Sequence, residues 1–141
     1  MINDGLKMTG AVAIALNGEV VQEIPNLVVT AGKNFVASRM KDTTKAAMTH
    51  MAIGTNNTTA AVGQTALSAE VTRGALTSTT VSTNTIAYVE TFAVGTGTGA
   101  IVEAGVFNAS SGGTMLCRTV FAVVNKGSAD AMTITWTITV S

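Results

Sequence analysis

The chain carries one histidine and one cysteine, His50 and Cys117, and their neighbours decide what chemistry either could do. A catalytic or metal-bound imidazole needs convergent partners, whereas His50 sits among Met48, Thr49 and Met51, none of them an acid or base. It reads as a structural or interfacial histidine. Cys117 alternates with Met115, Thr119 and Phe121, the pattern of a thiol buried on an apolar strand face and not of an activated nucleophile. A single cysteine also excludes an internal disulfide and a thiolate metal cluster. The run Gly95-Thr96-Gly97-Thr98-Gly99 has backbone amides that could cradle an anion. A phosphate loop needs a helix behind it and usually a lysine at a fixed offset, and this run lies between two strand-like segments, so it reads as a strand connection.

The carboxylates Asp4, Glu19, Glu23, Asp42, Glu70, Glu90, Glu103 and Asp130 are scattered, with no spacing that predicts acid–base work or an oxygen cage for a cation. The expectation is therefore no catalytic residue, no cofactor-binding residue and no metal ligand, in a protein that is not an enzyme. Glu90 and Glu103 each interrupt an otherwise apolar strand and so require partners, for which Arg73 and Arg118 are the available guanidinium groups. Glu103 and Arg118 flank the turn Asn108 to Gly113 and are expected to pair across adjacent strands.

The elements that position these residues are legible from periodicity. Fourteen glycines, one proline, and Thr, Val and Ala in short runs favour many short strands over helices. Met8, Gly10, Val12, Ile14 and Leu16 share one face of a first strand, and Asn17-Gly18 supplies a tight turn into Glu19 to Ile24. Leu27 to Val29 forms a short strand, and Thr30 is placed to cap a helix over residues 31–41 with Phe35, Val36 and Met40 on one face. Gly32 weakens that helix. Met48 to Ile53 is strand, Gly54 to Thr59 a polar turn, Ala60 to Leu67 a loop, and Glu70 to Val81 strand again. Four further strands follow, at Thr85 to Val94, Ala100 to Phe107, Thr114 to Val124 and Ala131 to Val140, in a meander or Greek key. In the last, Met132, Ile134, Trp136, Ile138 and Val140 alternate with Thr133, Thr135, Thr137 and Thr139, so one face is apolar and the other hydroxylated. The fold class is all-β, an antiparallel β-sandwich (jelly-roll-like or Greek key) with one short helix, in a single domain over residues 1–141 with residues 1–6 as a contact arm.

Charge bounds the partners. The formal net charge is zero, only 11% of residues are charged, and mean hydropathy is +0.42. No basic field exists to collect phosphates or an anionic membrane surface, and no apolar run reaches the ~18 residues of a membrane helix. Met1 to Gly5 does not read as a secretory leader, so synthesis and assembly in a cytoplasm are expected. So weakly charged an exterior suits a surface covered by neighbours.

The segment from Ile101 to Phe121, with Glu103-Ala104-Gly105-Val106-Phe107, a polar turn at Asn108 to Gly113, and Met115-Leu116-Cys117-Arg118, resembles small virion proteins of tailed bacteriophages and cyanophages. Met51-Ala52-Ile53-Gly54-Thr55, Thr65-Ala66-Leu67 with Glu70 and Arg73, and Thr133 to Ile138 share that resemblance, which spans roughly residues 48 to 140. Two groups are similar: capsid cement (decoration) proteins, and tail-collar or fibre-associated proteins with a Glu-x-Gly-hydrophobic-Phe unit before the turn. The resemblance implies a β-sandwich or jelly-roll module located in the virion, with no catalytic residues to carry over. It implies as partners the major capsid protein and copies of itself in a homo-oligomer, or alternatively tail or collar proteins. The chain lacks the collagen-like or heptad shaft of a long fibre, which favours cement. A carbohydrate-binding module using Gly54 to Thr59 is a third reading, disfavoured because aromatics make up only 4% of the chain.

Overall fold

The computed structural model describes residues 5–41 and 45–141. Residues 1–4 of the expected contact arm lie outside the described residues. Among the described residues, ten strands and one helix follow in order: β1 Met8–Leu16, β2 Glu19–Pro25, β3 Leu27–Val28, α1 Thr30–Arg39, β4 His50–Gly54, β5 Glu70–Ala75, β6 Ser78–Ser82, β7 Thr85–Phe92, β8 Gly99–Phe107, β9 Met115–Lys126 and β10 Met132–Val140. They form two five-stranded antiparallel sheets, β2-β1-β10-β7-β6 and β3-β9-β8-β4-β5, packed face to face. The protein is an all-β sandwich with one short helix. That helix is too short to cross a membrane.

Strict alternation places β10 at the centre of the first sheet, between β1 and β7. Trp136 lies opposite Val12 on one side and Tyr88 on the other, and is fully buried with Ile134 and Ile138. Met51, Ile53, Ile101 and Val106 of the second sheet close the core from the opposite side. The β1–β2 hairpin turns at Asn17 and Gly18, with φ of 52° and 83°. Those are the left-handed conformations that an Asn-Gly turn adopts at little cost.

The segment from Glu70 to Val81, expected as one strand, is two. The amide of Leu76 donates to Thr49 O in the second sheet, and the next amide, of Thr77, donates to Val89 O in the first. The chain thus changes sheets between adjacent residues, making a corner of the sandwich. A second corner falls at Asn26, whose amide donates to Gly10 O before Leu27 pairs with Arg118. The carboxyl half is not a meander: β7 and β10 are neighbours in one sheet while β8 and β9 form a hairpin in the other, so the chain crosses between the sheets before and after that hairpin.

The helix lies on the second sheet, with corrections to the expected details. Val29 is its N-cap residue and Thr30 is already helical, without a side-chain cap. The Thr30 amide donates instead to Val62 O, so a loop supplies the acceptor that a capping hydroxyl would have offered. Phe35 is buried and Val36 packs on the core, but Met40 sits at the helix end and is 83% exposed. Gly32, a poor helix former, is also what admits the helix this close to β9, because a Cβ there would overlap the Leu116 carbonyl.

Candidate functional site

Two surfaces carry the chemistry of this sandwich, and both are outer faces of sheets. On the outer face of the second sheet, Leu27, Arg118, Gly105, Ala52 and Arg73 lie in one row across all five strands. Two guanidinium groups thus flank a gap left by two small residues. Leu67 fills that gap: it belongs to a cluster with Val29, Ala52, Phe107 and Met115, and its Cδ2 would be 3.0 Å from a Cβ placed on Gly105.

Arg118 and Glu103 are both fully buried and paired, with Nη2 to Oε1 at 2.9 Å and Nε to Oε1 at 3.2 Å. The expected cross-strand ion pair is present. Its remaining valences go to the loop between β4 and β5: Glu103 accepts from the amides of Asn56, Ser68 and Ala69 at 3.1, 2.9 and 2.8 Å. Arg118 Nη1 donates to Thr58 O at 2.8 Å and to Gln64 Oε1 at 3.1 Å. A buried ion pair is tolerated only when such hydrogen bonds replace its lost hydration. The pair therefore acts as a tether that draws residues 56–69 over the sheet. Gly54 is part of it, since a Cβ there would overlap Ala69 O and Glu103 Oε2.

Arg73 completes the assembly. It forms a two-pronged ion pair with Glu70, at 2.7 and 3.1 Å, while its guanidinium carbon stands 3.7 Å over the Phe107 ring. Its Nη1 also donates to Ala109 O and Gly112 O, holding the β8–β9 turn. Glu90 finds no guanidinium among the described residues; it accepts from the Thr77 hydroxyl at the corner and from the Thr91 amide, and a Cβ on Gly74 would overlap its other oxygen.

The outer face of the first sheet is the opposite in kind. Registered rows run Ala11–Thr137–Ala87–Thr80, Ala13–Thr135–Val89–Ser78 and Thr9–Thr139–Thr85–Ser82, with Ala15–Thr133–Thr91 as a shorter fourth. None of these residues is charged. Thr91 and Thr133 bond each other through their hydroxyls at 2.9 Å, and Glu23, opposite Ala13, is the acid at the margin. No described segment covers this face, and its residues are exposed or half-buried.

No family model, curated protein or solved structure matches this chain. Its surfaces must be read from their own chemistry. Gly54, Leu67, Glu70, Arg73, Glu103, Gly105, Phe107 and Arg118 come from separate segments and meet on the one covered face.

The remaining sites fall where strand packing puts them. His50 begins β4 and exchanges a 2.8 Å hydrogen bond between its Nδ1 and the Thr49 hydroxyl. Among the described residues, no three His, Cys, Asp or Glu side chains gather as metal ligands would. Cys117 is wholly buried, and burial pushes its thiol far above the ordinary range, against smaller lowering by the Asn26 side chain and the Val106 backbone. Tyr88 is pushed up to about 12, first by burial and then by the nearby Cys117.

The Gly95–Gly99 run carries the chain from one sheet to the other, and its glycines at 95, 97 and 99 all have positive φ. The Gly95 amide is already committed to Ser128 O. Beneath it, Lys126 is buried and donates to Ala93 O at 2.9 Å, a feature its terminal position in β9 did not announce. The loop Gly54 to Thr59, considered as a sugar-binding segment, has its Asn56 amide and Thr58 carbonyl turned inward to the ion pair.

Proposed function

We propose that this chain is a structural virion protein of a tailed phage, a capsid cement protein that bridges neighbouring major capsid subunits and stabilises the head. The observation that carries this reading is the bare, charge-free outer face of the first sheet, four strands wide. A monomer gains nothing from leaving so many small apolar and hydroxylated side chains without charge, whereas an assembled protein can cover them closely. Short side chains let another backbone approach, and Thr hydroxyls supply exchangeable donors and acceptors at the contact. Contact area present only in the assembled state stabilises that state by mass action.

The tethered face supports the same reading. A module that resists pressure on the head must keep its loops closed, and the Glu103–Arg118 pair fixes residues 56–69 from beneath. The work assigned to the protein is binding, with no turnover, no cofactor and no metal. Its partners are the major capsid protein and copies of itself, with no direct contact to nucleic acid or membrane.

Copy number tests the proposal. In purified particles the chain should be present in proportion to capsid subunits, and particles lacking it should release DNA at a lower temperature. A few copies per particle would instead favour the alternative, a tail, collar or fibre-attachment component. Absence from particles would overturn both.

A further inference from the structure

The first sheet ends in β6, which is hydrogen-bonded to β7 on one side only. All five of its residues, Ser78-Thr79-Thr80-Val81-Ser82, are exposed, and Val81 is 70% exposed. An open edge of this kind is a template for another strand, and proteins ordinarily guard it with charge, proline or a cover. Among the described residues, β6 has none of these. The other sheet ends do: β2 carries Glu19, Glu23 and Pro25, β5 carries the Glu70–Arg73 ion pair, and β3 is two residues long and runs directly into α1.

We propose that β6 pairs antiparallel with β6 of a second copy, about a twofold axis through Thr80, joining two five-stranded sheets into one continuous sheet. The occupant follows from self-complementarity. A twofold operation sets Thr80 against Thr80, Thr79 against Val81 and Ser78 against Ser82, so every opposed pair is small and uncharged and the central ones are β-branched. The same operation on β2, centred at Val21, would set Glu19 against Glu23 twice over, four carboxylates in two like-charged pairs. The pairing also covers Val81, which with Ile86, Ile138 and Val140 lines a shallow apolar hollow at this edge. Because Ser78, Thr80 and Ser82 continue the rows of the bare face, the joined sheet doubles the width of that face.

This inference deepens the assembly reading by naming the second copy as the partner of one edge. It is measured on the purified full chain without any particle, so its failure is distinct from failure of the virion assignment. Sedimentation across micromolar to millimolar concentration should show a monomer–dimer equilibrium. Thr80→Lys, which opposes two ammonium groups, should weaken association by about tenfold or more. Val21→Lys on the β2 edge should leave it unchanged. Thr80→Cys should form an interchain disulfide on mild oxidation, since residues on the axis face each other directly. Circular dichroism should show both Thr80 variants folded, because the side chain is exposed. A chain that stays monomeric throughout, or a dimer indifferent to Thr80→Lys, would overturn the pairing.

Discussion

On the second sheet's outer face, Glu103 and Arg118 are wholly buried beneath a loop they hold in place. On the first sheet's outer face, rows of Thr, Ala and Ser lie open with no charge among them. Most small domains do the reverse, setting charges in water and small uncharged residues in the interior. Here Glu90, Glu103, Arg118 and Lys126 are buried, in a chain that has only eight acids and eight bases. Charge is spent on internal architecture, where low dielectric makes each hydrogen bond directional and strong, and is withheld from the surface another sheet would have to approach. The difference teaches that the two faces are built on separate principles: one is fixed by buried charge, and the other is the open, uncharged surface that the proposed assembly would cover.

The contrast is broken most severely at the tether. Removing either member alone, as Glu103→Ala or Arg118→Ala, leaves an unpaired buried charge and should cost about 3–5 kcal/mol in denaturant unfolding. The matched double substitution Glu103→Leu with Arg118→Met should recover a substantial part of that loss. A double variant no more stable than either single one would refute the coupling. Limited proteolysis should cut the single variants within residues 56–69 while sparing the parent.

Next in size is Gly32→Ala. In an isolated helix this change gains up to about 1 kcal/mol. Against the Leu116 carbonyl it should instead destabilise by about 1–3 kcal/mol, because backbone must move to admit the methyl group. Stabilisation would show that α1 rides more loosely on the covered face than its packing implies.

Between the two sheets, Cys117 sharpens the comparison through pH. Its folded pKa lies above the unfolded value near 8.5, so its contribution is complete below that pH and is lost as pH rises above it. Stability should fall by about 1.4 kcal/mol per pH unit beyond roughly pH 9, with Tyr88 joining above about pH 10. Cys117→Ala should abolish the limb between pH 9 and 10, and the native thiol should resist alkylation until the protein unfolds.

The smallest stability effect belongs to the bare face. Thr137→Lys, at the centre of the first row, should change unfolding free energy by less than about 0.5 kcal/mol. It should nevertheless abolish retention of the protein on assembled particles. A variant that binds as well as the parent would show that this face is not the one covered.

Much of the scaffold could be read before any coordinates. The Asn17-Gly18 hairpin, the apolar and threonine faces of β10, the buried Cys117 and the Glu103–Arg118 pair all follow from local periodicity or from a charge interrupting an apolar strand. What could not be read depended on contacts between distant segments. Glu70 to Ser82 has continuous strand character, and only hydrogen bonds to Thr49 on one side and Val89 on the other divide it between sheets. Thr30 has the chemistry of a cap, but Val62 O took its place. Gly32 reads as a weak helix residue until Leu116 is seen against it.

The linear chain by itself determined the all-β class, the apolar and polar faces of its clearest strands and the shortage of charge, because alternation and composition act through neighbours one or two residues apart. The tertiary structure alone decided that one outer face would be roofed and the other left bare. That outcome rests on Glu103 and Arg118 reaching backbone groups 34 to 60 residues away, and on strand order aligning small uncharged residues from β1, β10, β7 and β6 into rows. Neither arrangement exists until both sheets have formed.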